Sequence, residues 1–202
     1  MIKRIITLAS VGGLLWSAWP VQGATAQTNI WNLQGLGAGA NISYAIKHTS
    51  DGVEQTGEFQ ITTNASGGQL MATVQASLGD NSCSSTTPLQ NTQAVQMQIM
   101  MSCMAFAPVA MTMFAPTWAM LAMTSWELGS QMNMNQGGEQ FSFQVTQECT
   151  FAGITGVLAE LRADDTEWDT CVKKDLPFPL SVRMSNDDET IVATLTRYDA
   201  GG

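Results

Sequence analysis

No charged residue occurs from Asn81 to Trp126, and 20 of the 25 residues from Ile99 to Met123 are apolar. This segment constrains the fold more than any other feature, because so much apolar surface has to be hidden from water. Three arrangements accommodate it. One is a membrane-spanning helix, for which the length suffices. Against it stand Pro108 and Pro116 inside the segment and the lack of Lys or Arg flanks to orient a span. The second is packed core. Pro116 suits the first turn of a helix, Gly129 suits the residue after its end, and Trp118, Leu121 and Ala122 share one helical face. The third is a groove for a greasy ligand, since unbranched, polarisable Met side chains adapt to varied shapes. Its lining would be Met100, Met104, Phe106, Met111, Phe114, Trp118, Met120 and Met123.

The first residues read as an export signal. Lys3 and Arg4 are followed by an uncharged run from Ile5 to Trp19, a helix-breaking Pro20 and the small residues Ala24-Thr25-Ala26. That layout is a secretory signal peptide, 1–26, and the run of about 15 apolar residues is shorter than a membrane span. No Cys near the cleavage point suggests a lipoprotein signal. The expected mature chain, 27–202, forms one exported β-rich domain, periplasmic or secreted, with no stable membrane span after cleavage. Its four cysteines, Cys83, Cys103, Cys149 and Cys171, agree with that destination, since an even number in an exported chain reads as disulfides. The favoured pairing joins neighbours, 83 to 103 and 149 to 171. No C-x-x-C is present to support a redox or zinc motif.

Around the apolar segment the pattern is that of strands. Ile42, Tyr44 and Ile46 alternate with Ser43, Ala45 and Lys47; Asp51-Gly52 marks a turn. Phe59 and Ile61 alternate, Gly67-Gly68 turns the chain, and Leu70, Ala72, Val74, Ala76 and Leu78 follow. Residues 93–103 fit a helix through Met97, Met100, Met101 and Met104. They also fit a strand through Val95, Met97, Ile99, Met101 and Cys103, and Gln96 and Gln98 on one side favour the strand. Beyond the segment, Leu128 to Met134, Phe141 to Val145, 157–162, Leu180 to Met184 and Ile191 to Leu195 keep a strand rhythm, with a turn at Asn186-Asp187-Asp188. The expected fold is mainly β: a single antiparallel, curved or half-barrel meander with one or two apolar helices between its halves. At the level of architecture alone, with no motif behind it, this resembles the half-barrel of periplasmic lipoprotein carriers.

Chemistry-bearing constellations are few. The only imidazole is His48, beside a turn, and no G-x-S-x-G occurs, so nucleophilic catalysis lacks its parts and no enzyme is expected. Met111-x-Met113 and Met132-x-Met134 invite a copper reading: Met132 and Met134 would point to one side of a strand and could hold Cu(I), which thioether sulfur favours, with His48 or a nearby Trp completing the site. Two inward core methionines explain the same pattern, and a Cu(I)-binding protein is the alternative function. A structural envelope protein with no ligand is another. Glu160, Asp164, Asp165, Glu167 and Asp169 lack the calcium-loop spacing and read as a solvated loop. Gly35-Leu36-Gly37-Ala38-Gly39 lacks the strand-to-helix setting of a dinucleotide loop. A net charge of −9, with no Lys or Arg between Lys47 and Arg162, leaves no basic face for nucleic acid. No cofactor is implied. The expected partner is an apolar small molecule, a lipid or a protein.

Overall fold

The computed structural model describes residues 35–89, 102–113, 126–136, 139–173, 176 and 178–202. The proposed signal peptide, 1–26, lies outside them. Ten strands form one antiparallel sheet: β1 (Asn41–Ser50), β2 (Val53–Ser66), β3 (Gln69–Leu78), β4 (Asn81–Pro88), β5 (Gln131–Gln136), β6 (Glu139–Phe151), β7 (Ile154–Ala163), β8 (Thr166–Val172), β9 (Ser181–Ser185) and β10 (Glu189–Asp199). Their order across the sheet is β4-β3-β2-β1-β10-β9-β8-β7-β6-β5. Two meanders are thus zipped together by their first and last strands, β1 against β10.

Local chemistry explains the hairpins. The turns at Asp51-Gly52, Gly67-Gly68 and Ala152-Gly153 each place two consecutive residues at positive φ, from 49° to 78°. This is the two-residue turn whose twist matches that of the flanking strands. Asp51 and Ala152 carry a Cβ there, and Ala152 is the one with no polar side chain to offset the steric cost. Gly57 is required for a different reason: a Cβ there would stand 1.8 Å from the Ser77 carbonyl oxygen on β3.

Alternation then builds one apolar face. Register places Tyr44 beside Phe59 and Leu195, Ile46 beside Ala193, and Ile191 beside Met184. Met184 continues to Trp168, Leu161, Phe143 and Met132. Nearly all of these are buried. Tyr44 keeps its hydroxyl satisfied by donating to the Pro179 carbonyl at 2.6 Å. The sheet curls towards this inner face. Laid flat, β10 and β6 would lie about 19 Å apart at roughly 4.8 Å per strand, yet their Cα atoms approach within 8 Å.

The expected mainly β, curved antiparallel sheet is therefore present, and two details of the reading are corrected. First, β4 and β8 carry strands where no strand was expected. Second, the acidic run is not a solvated loop. It is the β7–β8 hairpin, with only Asp164 and Asp165 in the turn. Arg162 and Arg183 partly offset its charge. Arg162 reaches Asp169 at 2.9 Å, Glu160 at 3.3 Å and Glu167 at 3.4 Å, and Arg183 reaches Asp169 at 3.3 Å. The expected strand 93–103 lies outside the described residues except for Ser102 and Cys103, and beyond Cys103 the chain is helical. A 3-10 turn, Met104–Phe106, runs into an α-helical stretch at 107–113. This short helical segment lies between the two halves of the sheet in the chain and starts ahead of Pro116. The helix expected after Pro116 falls largely on residues 114–125, outside the described set.

Candidate functional site

The helical segment and the inner face make the candidate site. Phe106, Val109, Ala110 and Met113 are buried, at most 3% exposed. Their spacing is the i, i+3, i+4, i+7 stripe of a helix laid on a surface. Two fixtures hold the stripe to the sheet. At its head Cys103 is bonded to Cys83 on β4, with Cα atoms 5.6 Å apart. Further along, buried Thr112 donates to the Pro108 carbonyl at 2.9 Å and lies 3.6 Å from the Met184 sulfur on β9. The segment is a cover over the apolar face, reaching from one edge strand towards the other half of the sheet. A second disulfide, Cys149–Cys171, ties β6 to β8 across β7.

The residues singled out from sequence fall as follows. Phe106 is buried against the sheet, Met104 is 77% exposed, and Met111 is half-buried. Met100, Phe114, Trp118, Met120 and Met123 lie outside the described residues. Met132 is partly buried against the core, opposite Phe143, and Met134 pairs in register with Phe141. His48 does not join the two methionines. It sits on β1, six strands away from β5 in the sheet order, with its Nε2 2.6 Å from Glu189 Oε1. Among the described residues, no three His, Cys, Asp or Glu side chains are grouped to hold a metal. Nor is any helix there long and apolar enough to cross a membrane.

Sequence reading missed two residues of this face, Trp168 and Thr170. Both are buried on β8, 8% and 1% exposed, and neither Trp168 Nε1 nor Thr170 Oγ1 has a hydrogen-bond partner. The signal was present as Trp168-x-Thr170-x-Val172 alternation. The acidic residues around it hid it, since Glu167 and Asp169 alternate equally well on the other face.

Burial also sets the electrostatics. Tyr44 has its pKa raised well above 10, first by desolvation and then by the neighbouring Tyr198. Tyr198 is raised by burial. Both phenols stay neutral in the ordinary pH range.

No protein-family model matches the chain, and no curated protein matches it in sequence. Among solved structures, MucB is similar over 81% of this chain and 54% of its own, at 12% identity and a TM-score of 0.39. MucB in complex with MucA(peri) is similar at 11% identity and a TM-score of 0.38, with 52% of that chain covered. A Bacteroides fragilis protein with a YmcC-like fold is similar at 10% identity and a TM-score of 0.35, over 97% of its length. The chain therefore spans about half the length of MucB, and likenesses at these scores carry no argument about what it does.

Proposed function

We propose that the chain is an exported, non-enzymatic binding protein. Its signal peptide, 1–26, is removed, and the mature domain holds an apolar small molecule or lipid between the inner sheet face and the Met-rich segment 99–123. One observation carries the reading. An apolar cover lies on an apolar sheet face, pinned covalently only at its head, through Cys103. Beyond that pin the described cover has no covalent tie: Phe106, Val109, Ala110 and Met113 pack on the face, and Thr112 meets a thioether. The Met113 contact is one that re-forms around a guest, because Met adapts its shape. The two disulfides support an oxidising destination.

The test is native mass spectrometry of protein exported by its own signal peptide, followed by uptake of an apolar fluorescent probe. The expected spectrum shows a chain beginning near residue 27 with both disulfides formed and a lipid-like adduct. Trp118→Asp together with Met120→Asp is expected to abolish probe uptake while the disulfides still form. A bare chain that takes up no probe would overturn the reading.

A further inference from the structure

We propose that Trp168 and Thr170 form the polar end of the ligand site, receiving an uncharged oxygen (ester, amide or alcohol) of an otherwise apolar molecule. The proposal rests on the binding reading above and gives it a chemical class of ligand. Native folds pair nearly all their buried polar groups, so each exception calls for a cause. Here two exceptions stand two residues apart on one strand and one face: a donor, Trp168 Nε1, and a hydroxyl that donates or accepts, Thr170 Oγ1. Neither atom finds a partner among its neighbours. Register flanks Trp168 with Leu161 and Met184, and Thr170 with Ala159 and Val182, all apolar.

The same surroundings select the ligand's charge. A carboxylate or phosphate buried among these side chains would be unpaired and strongly disfavoured. The nearby guanidiniums, Arg162 and Arg183, alternate onto the opposite face and are engaged by Glu160, Glu167 and Asp169. A neutral oxygen fits, since it accepts from the indole N–H without bringing a charge. The position fits too. Met184, beside Trp168 in register, is the residue that Thr112 of the cover touches. A chain running from this polar end would lie along the apolar face under the cover.

The experiment uses the mature, disulfide-bonded chain, stripped of lipid and labelled with 15N at its tryptophan indoles. It is titrated separately with methyl laurate, 1-dodecanol and dodecane. The expected result is a downfield move of the Trp168 indole proton with the ester and the alcohol but not with dodecane. Trp168→Phe with Thr170→Val is expected to weaken methyl laurate about tenfold, within the range for losing two hydrogen bonds, and to leave dodecane unchanged. Thr170→Val alone, which keeps the side chain's shape, is expected to give a smaller selective loss, and it serves if the double variant does not fold. If all three compounds bind the parent equally, the indole proton stays still and the variants change nothing, the pair is not a head-group site and this proposal falls while the binding reading stands. If none of the three binds, the binding reading fails and takes this proposal with it.

Discussion

Cys103, at the head of the apolar cover, is bonded to Cys83 on the edge strand β4, with 20 positions of chain between them. The bond fixes where the cover begins its path across the sheet. A loop of this length is worth about 3 kcal/mol in the chain-entropy account of disulfides. Replacing both cysteines by serine is expected to lower unfolding stability by about that amount, read from urea titration. Hydrogen exchange should rise selectively across residues 104–113. Uniform acceleration over the whole sheet would show that the bond supports the fold at large and not the cover.

Met113 is fully buried on the sheet-facing side of the cover. Met113→Ala is expected to cost about 2–5 kcal/mol, the range for truncating a large core side chain. Met113→Leu, which conserves volume, should cost less than about 1.5 kcal/mol. The same urea titration distinguishes them. Equal effects would mean that the site collapses around the smaller side chain.

Ala152 holds φ at 49° in the β6–β7 hairpin. A left-handed alanine pays about 1–2 kcal/mol for its Cβ, while glycine and asparagine suit this turn position. Ala152→Asn is expected to raise stability by up to about 1 kcal/mol, seen as a higher melting temperature. A lower one would show that Ala152 makes a packing contribution that outweighs its strain.

Tyr44 is buried with its pKa raised, chiefly by desolvation. An unfolded tyrosine ionises near pH 10, so the folded state binds the phenolic proton more tightly than the unfolded state does. The stability this represents is fully present below about pH 10 and is lost as pH rises beyond it. Tyr44→Phe is expected to flatten that alkaline decline. At neutral pH it should cost about 1–3 kcal/mol, because the Pro179 carbonyl loses its donor. An unchanged alkaline slope in denaturant titrations from pH 8 to 11 would count against Tyr44 as its source.

Much of this molecule could be read one residue at a time. Period-two alternation located β1, β2, β3, β6, β9 and β10, because each buries one face and wets the other. Asp51-Gly52 and Gly67-Gly68 announced their turns, because few other residues take two positive φ angles in succession. β8 escaped because the residues facing away from the core, Glu167 and Asp169, are charged, and a charged run resembles a loop until its counterions are known. Those counterions, Arg162 on β7 and Arg183 on β9, come from neighbouring strands. β4 escaped because its run of Ser and Thr has no apolar rhythm; β3 supplies its partner hydrogen bonds.

The sequence by itself determined that much of the apolar surface of residues 99–123 had to be hidden from water. Where it goes was decided only by tertiary structure. β4 ends at one edge of the sheet and β5 begins at the other, so the connecting chain has to travel across the sheet, and the apolar stripe of Phe106, Val109, Ala110 and Met113 selects the apolar face for the crossing. The strand order that separates those two edges comes from β1 pairing with β10. That contact joins the two ends of the domain, and no local pattern encodes it. Pairing of β8 with β7 and β9 brings Leu161 and Met184 to either side of Trp168, leaving its indole N–H without a hydrogen-bond partner.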